Sequence, residues 1–209
     1  MLTCSSQKSE KVESKMLSLP EYLVKSIQIL ADKHNVIRHI ILQAIFVGLL
    51  HRLSGENDIF MLSPVSMSLV SRREEGGCWV NTVILDHHFS ANLSWSNLFE
   101  QITLQRKRGK GVKHIPLANI IGALRKQKKD HSLERFNLMF GETVALNHAY
   151  RFSDGEAICE NYEFIESSND LQLLYCPAEN SEINLRLKSR QVLIRMGYLT
   201  LLWRNINQR

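Results

Sequence analysis

Apolar residues begin to recur at regular spacing only from Leu17 onward, so residues 1–16, rich in Ser, Lys and Glu, are expected to form a flexible polar tail ahead of one domain over 17–209. Ser18 with Glu21, and Pro20 in the first turn, read as a capping box. Leu23, Ile27 and Leu30 then share a helical face to about His34, and Asn35 ends the helix. A second helix carries a wide apolar face from Val36 to Leu49, stops at Ser54-Gly55, and is expected to be largely buried. Ile59 to Leu62 reads as a short strand broken by Ser63-Pro64, and Trp79 to Phe89 as a longer one. Helical spacing returns over Leu93–Arg108, and Pro116 opens another helix whose Leu117, Ile120, Ile121 and Leu124 share a face, closed by Lys129-Asp130. Strand candidates follow near Phe136–Val144, Tyr162–Ile165, Leu171–Cys176 and Ile183–Leu187, with a final helix over Arg190–Ile206. This order predicts an α/β fold, a two-layer sandwich in which a mixed β-sheet carries helices packed mainly on one face.

Composition narrows the class. A chain of 209 residues, 44% hydrophobic and 22% charged with 10 glycines and 4 prolines, can bury a core without a disulfide or metal staple. Cys4, Cys78, Cys159 and Cys176 lie far apart with no Cys-x-x-Cys pair, and read as reduced thiols of a cytoplasmic protein. The polar N-terminus has no secretory core, and the most apolar stretch, Val36 to Leu50, contains Arg38, His39 and Gln43, so neither export nor a membrane partner is expected. The net charge is +5, with basic runs at Arg106, Lys107, Arg108, Lys110 and Lys113 and at Arg125, Lys126, Lys128 and Lys129. Such runs can meet phosphates but are commonly solvated, and no aromatic residue interleaves them, so a nucleic-acid partner is not expected. No Gly-x-Ser-x-Gly elbow, Walker loop or Rossmann loop occurs.

Several motifs carry a family likeness. In LLHRLSGENDIFMLSPVS, residues His51, Arg52, Ser54, Gly55, Asp58, Ile59, Pro64 and Val65 resemble the helix-end turn, strand and Pro-Val bend of nonribosomal peptide synthetase condensation domains, with Ser63 where that pattern has threonine. Gly77-Cys78-Trp79-Val80-Asn81-Thr82 resembles the family's G-x-F-V-N-T motif. His114-Ile115-Pro116-Leu117 is an eroded echo of H-Q-D-x-P-F-E, and the segment from Ser132 to Phe140 is similar to S-x-x-P-L-F-Q-V-M-F. The likeness runs from Leu17 to Asn207. It implies the C-terminal lobe of a chloramphenicol-acetyltransferase-like fold.

In that family the active histidine is the second of His-His-x-x-x-Asp-Gly in the N-terminal lobe, and the resemblance places this chain after it. Two segments imitate the motif. His87-His88 is followed by Asn92 and Leu93 where aspartate and glycine are required; the pair reads as exposed or half-buried histidines ending a strand, leaving His88 a weak alternative catalytic candidate. His148 with Ser153-Asp154-Gly155 has the wrong spacing and reads as a hairpin turn. No residue is therefore assigned as catalytic, and no metal site is expected. Trp79, Asn81, Thr82 and His114 are candidates for lining a substrate tunnel or lobe interface, although Asn81 and Thr82 also fit a role in satisfying backbone groups. Trp79, Trp95 and Trp203 are expected as core or interface anchors.

The resemblance implies amide-bond formation between carrier-protein-bound acyl and aminoacyl groups, in a setting of secondary-metabolite and antibiotic biosynthesis. The expected partners are an N-terminal lobe on another chain or a synthetase, and a peptidyl or acyl carrier protein. No cofactor is expected on this chain; phosphopantetheine would arrive on the carrier. A catalytically inactive carrier-binding or scaffold module is the alternative, and self-sufficient acyl transfer through His88 the remote one.

Overall fold

The computed structural model describes residues 12–67, 79–126, 137–143, 149–158, 169–177 and 183–190. In chain order these form β1 (Val12–Ser18), α1 (Glu21–Lys33), α2 (Arg38–Ser54), β2 (Asp58–Ser66), β3 (Val80–His88), α3 (Trp95–Gly111), α4 (Leu117–Lys126), β4 (Leu138–Glu142), β5 (Ala149–Phe152), β6 (Gly155–Ile158), β7 (Leu171–Pro177) and β8 (Ile183–Arg190). Six strands make one mixed sheet in the order β1-β8-β7-β4-β2-β3. The pairs β2/β4 and β4/β7 are parallel and the other three antiparallel. β5 and β6 form a separate hairpin, so Ser153-Asp154 is the turn its residues announce.

Strand alternation decides what meets the helices. Ile59 and Met61 on β2, Val83, Leu85 and His87 on β3, Phe140 on β4 and Tyr175 on β7 are all buried with Phe46 and Val47 of α2 and Phe99 and Ile102 of α3. Phe46 stacks on Phe140 at 5.9 Å between ring centres, and Gly109 of α3 lets that helix lie against Val83 and Leu85. The expected mixed sheet beneath a helical layer is therefore present.

α1 ends at Lys33, with Asn35 in the left-handed conformation at φ 52°; α2 ends at Gly55, also left-handed at φ 72° and donating its N–H to His51 O at 2.8 Å. α3 opens on Ser94, whose hydroxyl accepts the Asn97 N–H at 3.2 Å. Among the described residues no single helix is long and apolar enough to cross a membrane; α1 and α2 meet at a bend of 106°.

Four sequence expectations change. The tail is shorter, because residues 12–16 lie in β1 and pair antiparallel with β8 from Val12↔Arg190 to Ser18↔Asn184. Backbone pairing holds this mostly polar edge strand, so no apolar alternation announces it. The capping box is absent: Pro20 stands at the helix start with no side-chain cap, and the Ser18 hydroxyl donates instead to Asn184 Oδ1 at 2.5 Å. Ser63-Pro64 does not break β2, which runs on to Ser66 against β3. The register turns the Pro64 amide position away from β3, so its absence leaves the β2/β3 ladder unbroken. Arg190 closes β8 rather than opening a helix; the rest of that helix, Trp203 and the strand near Tyr162–Ile165 lie outside the described residues.

Candidate functional site

α2 is apolar almost all round, yet His39 and Gln43, one turn apart on its sheet-facing side, are buried. Buried polar groups need partners, and a continuous chain of hydrogen bonds supplies them. Tyr175 donates its hydroxyl to Glu142 Oε2 at 2.8 Å and accepts from His39 Nδ1 at 2.7 Å. His39 Nε2 in turn accepts from Arg106 Nη1 of α3. The same Arg106 nitrogen reaches Gln43 Oε1 at 3.4 Å, while Gln43 Nε2 donates to His87 Nε2 at 2.9 Å. His87 Nδ1 donates to Ile59 O at 3.2 Å. The donors fix both tautomers: each histidine accepts on Nε2 and donates from Nδ1.

The electrostatics agree with neutral rings. Burial, then the Arg106 charge, lowers the His39 pKa to about 3. Burial lowers that of His87 to about 4, opposed by the Ile59 carbonyl and Asp86. Burial also pushes the Arg106 guanidinium down, and burial followed by the hydrogen bond to Glu142 raises the Tyr175 phenol. A histidine with both nitrogens engaged and its charged form disfavoured is a poor proton acceptor at neutral pH. His87 is only 1% exposed, so the expectation of an exposed or half-buried residue is corrected: its ring points from β3 into the helical layer.

The other half of the decoy behaves oppositely. His88 is exposed at the strand end and pairs with Asp58 at 2.7 Å, while Gln101 of α3 clamps its backbone N–H and carbonyl at 3.2 and 3.0 Å. Two adjacent strand residues face opposite sides, so His87 and His88 cannot share one site.

The structure does not bring the remaining candidates to a common pocket. Asn81 is a bracket: its Nδ2 donates to Lys113 O at 2.6 Å and to Ile115 O at 2.7 Å, and its Oδ1 accepts the Thr82 N–H at 2.8 Å. Thr82 sits half-buried on β3, opposite Pro64. His114 is exposed in the turn that Asn81 fastens, and Trp79 is half-buried, its carbonyl accepting from Met67 N at 2.8 Å. Trp95 is 57% exposed, lying over Gly48 of α2. A cleft of about 350 Å³ opens between the 34–36 turn and α3, lined in part by His34, Asn35, Phe99, Thr103 and Lys107. No group of three potential metal ligands occurs among the described residues, and Cys176 is a buried free thiol whose pKa burial raises.

The sequence reading missed the buried chain of polar groups. Its signal was present as His39 and Gln43, at i and i+4 within the most apolar helix, but their partners Arg106, Glu142 and Tyr175 are distant in sequence and share no motif with them.

A mixed sheet in this order beneath one helical layer defines a two-layer α/β lobe. Residues 3–193 match the condensation domain, and the chain belongs to that family. It is similar in structure to a four-domain nonribosomal peptide synthetase bound to AMP and glycine, with a TM-score of 0.75 and 17% identity over 95% of this chain and 17% of that one. It is also similar to the condensation domain of the Monacolin K polyketide synthase MokA, at TM-score 0.71 and 14% identity over 99% of this chain and 50% of that one. SgcC5 from Streptomyces globisporus gives 0.66 and 12% over 95% and 48%. The chain thus spans half or less of each of these structures, and at such identities the likeness is one of fold. No curated protein sequence matches it.

Proposed function

We infer that this chain forms the C-terminal-type lobe of a condensation unit and takes part in amide-bond formation between carrier-protein-bound acyl and aminoacyl groups. In this reading an N-terminal lobe brings the His-His-x-x-x-Asp-Gly site. The acceptor amine attacks the donor thioester carbonyl; the C–N bond forms, the C–S bond breaks, and the amine proton passes by way of that histidine to the departing thiol. Both phosphopantetheine thiols would belong to carrier proteins. The single observation that carries the reading is half coverage: the match to the MokA condensation domain takes in 99% of this chain but 50% of that one, and the match to SgcC5 takes in 95% of this chain but 48% of that one. The state of the histidines supports it, since His39 and His87 are locked in the core and His88 stands at an exposed strand end.

The test is reconstitution. The chain is mixed with a separately expressed N-terminal lobe bearing the histidine motif and with carrier proteins loaded with donor and acceptor groups, and amide product is followed by mass spectrometry. Product should require both lobes. Product from this chain alone, or a mixture that forms a stable two-lobe complex without making amide, would overturn the reading, the latter in favour of an inactive scaffold.

A further inference from the structure

The two rims of the six-stranded sheet are finished differently. Along β3 the Thr82 N–H is taken by Asn81 Oδ1 and the His88 N–H by Gln101 Oε1, so that rim is partly closed to a further strand. β1 is the opposite rim. The Leu19 amide donates to Ile183 O at 2.9 Å, and bonded pairs in an antiparallel ladder recur at every second residue. Glu13, Lys15 and Leu17 therefore turn their backbone groups toward β8, while Val12, Ser14 and Met16 turn theirs outward. None of these outward amides and carbonyls meets a partner among the described residues.

The side chains of this rim form a pattern that fits itself. Register with β8 and β7 puts Leu17 in line with Leu185 and Tyr175, so Leu17, Lys15 and Glu13 share the helix-facing side of the sheet. Val12, Ser14 and Met16 share the other side. Lys15 is exposed and Met16 is 53% exposed, so both sides of the strand are open to contact. A lysine at a sheet edge ordinarily deters pairing. Here Glu13 stands two residues away on the same side, at the spacing that can face a lysine in an antiparallel neighbour of the same sequence.

We propose that β1 pairs antiparallel with β1 of a second copy of this chain, about a two-fold axis at Ser14, joining two six-stranded sheets into one. Ser14 then faces its own counterpart, Glu13 faces the partner's Lys15, and Val12 faces the partner's Met16, the last two contacts occurring twice by symmetry. The facing pairs at Val12, Ser14 and Met16 are those whose backbone groups point outward, and each exchanges two hydrogen bonds with its opposite. No other register fits as well. A slip of two residues sets Lys15 against Lys15 in one direction and Glu13 against Glu13 in the other, and a slip of one turns bonded backbone groups against non-bonded ones and swaps the faces. Charge complementarity therefore selects the occupant, a strand of identical sequence, as well as its alignment. The inference goes beyond the lobe reading and does not rest on it.

Sedimentation velocity of the full chain across the micromolar range reads the association, and the dimer fraction should rise with concentration. Ser14→Pro removes an outward amide that makes no bond to β8, and should abolish the dimer at unchanged circular dichroism. Glu13→Lys and Lys15→Glu each create two like-charge contacts across the axis and should weaken association about tenfold. The joint swap, Glu13→Lys with Lys15→Glu, restores opposite charges in the same register and should return the parent affinity. Within the chain these residues face Ser189 and Leu187, so the swap reverses no charge pair between β1 and β8. If Ser14→Pro perturbs the fold, the swap series decides alone. A monomer at every concentration, a dimer that a folded Ser14→Pro leaves intact, single reversals without effect, or a swap that fails to restore association would overturn the proposal.

Discussion

A Cβ on Gly141 would stand 2.6 Å from Cγ of Pro64 and 2.8 Å from its Cδ. The proline that leaves β2 without an amide there packs its ring onto the backbone of β4, and only glycine leaves it room. Gly141→Ala should therefore destabilise the protein by about 1–3 kcal/mol, the usual cost of overpacking. Urea unfolding of Gly141→Ala, Pro64→Ala and the double variant checks this: the double variant should be more stable than the sum of the single losses allows.

Gln43 is the only side chain joining the Arg106 half of the polar chain to His87 among the described bonds. Gln43→Leu keeps the volume but leaves the His87 Nε2 buried without its donor, and should cost about 1–3 kcal/mol. Chemical denaturation at neutral pH reads the loss; stability equal to the parent would show that the network is not under strain to stay paired.

Stability should fall as pH drops below neutrality. His39 and His87 have folded pKa values of about 3 and about 4, both below the ordinary 6.5. Between pH 6.5 and those values the unfolded chain binds protons that the folded one refuses, so acid favours unfolding, and the stability seen above pH 6.5 declines until the folded rings protonate. At pH 5 the difference amounts to about 2 kcal/mol per histidine. Comparing unfolding at pH 7 and pH 5, the parent should lose more than His87→Gln does.

His88→Ala should leave amide formation by a reconstituted two-lobe pair unchanged. The ring is exposed and tied to Asp58, and its neighbour on the same motif points the other way. Loss of product without loss of lobe association would revive His88 as a participant.

The hydrophobic periodicities made most of the helices and the strands β3 and β7 legible, since α2, α3, α4, β3 and β7 each bury or half-bury one apolar set. β1 was illegible because its order comes from pairing with β8 rather than from its own side chains. β2 was cut short because proline's missing amide reads as a break when the register is unknown; only the pairing with β3 shows why the strand continues. Asn81 stood out in the sequence through a family motif, but its two carbonyl partners belong to a turn 32 and 34 residues away. His39, Gln43 and Arg106 failed to stand out for a related reason: a polar residue on an apolar helix is a signal only when its partner is known.

The pairing of Val12 with Arg190 and Ser18 with Asn184 also bears on how the molecule is made. A ribosome releases the first of these strands long before it has synthesised the second, so residues 12–18 have no template during most of translation, and closing so long a loop is slow. Until they dock, β8 presents an open rim, which leaves the newborn chain vulnerable to intermolecular strand pairing.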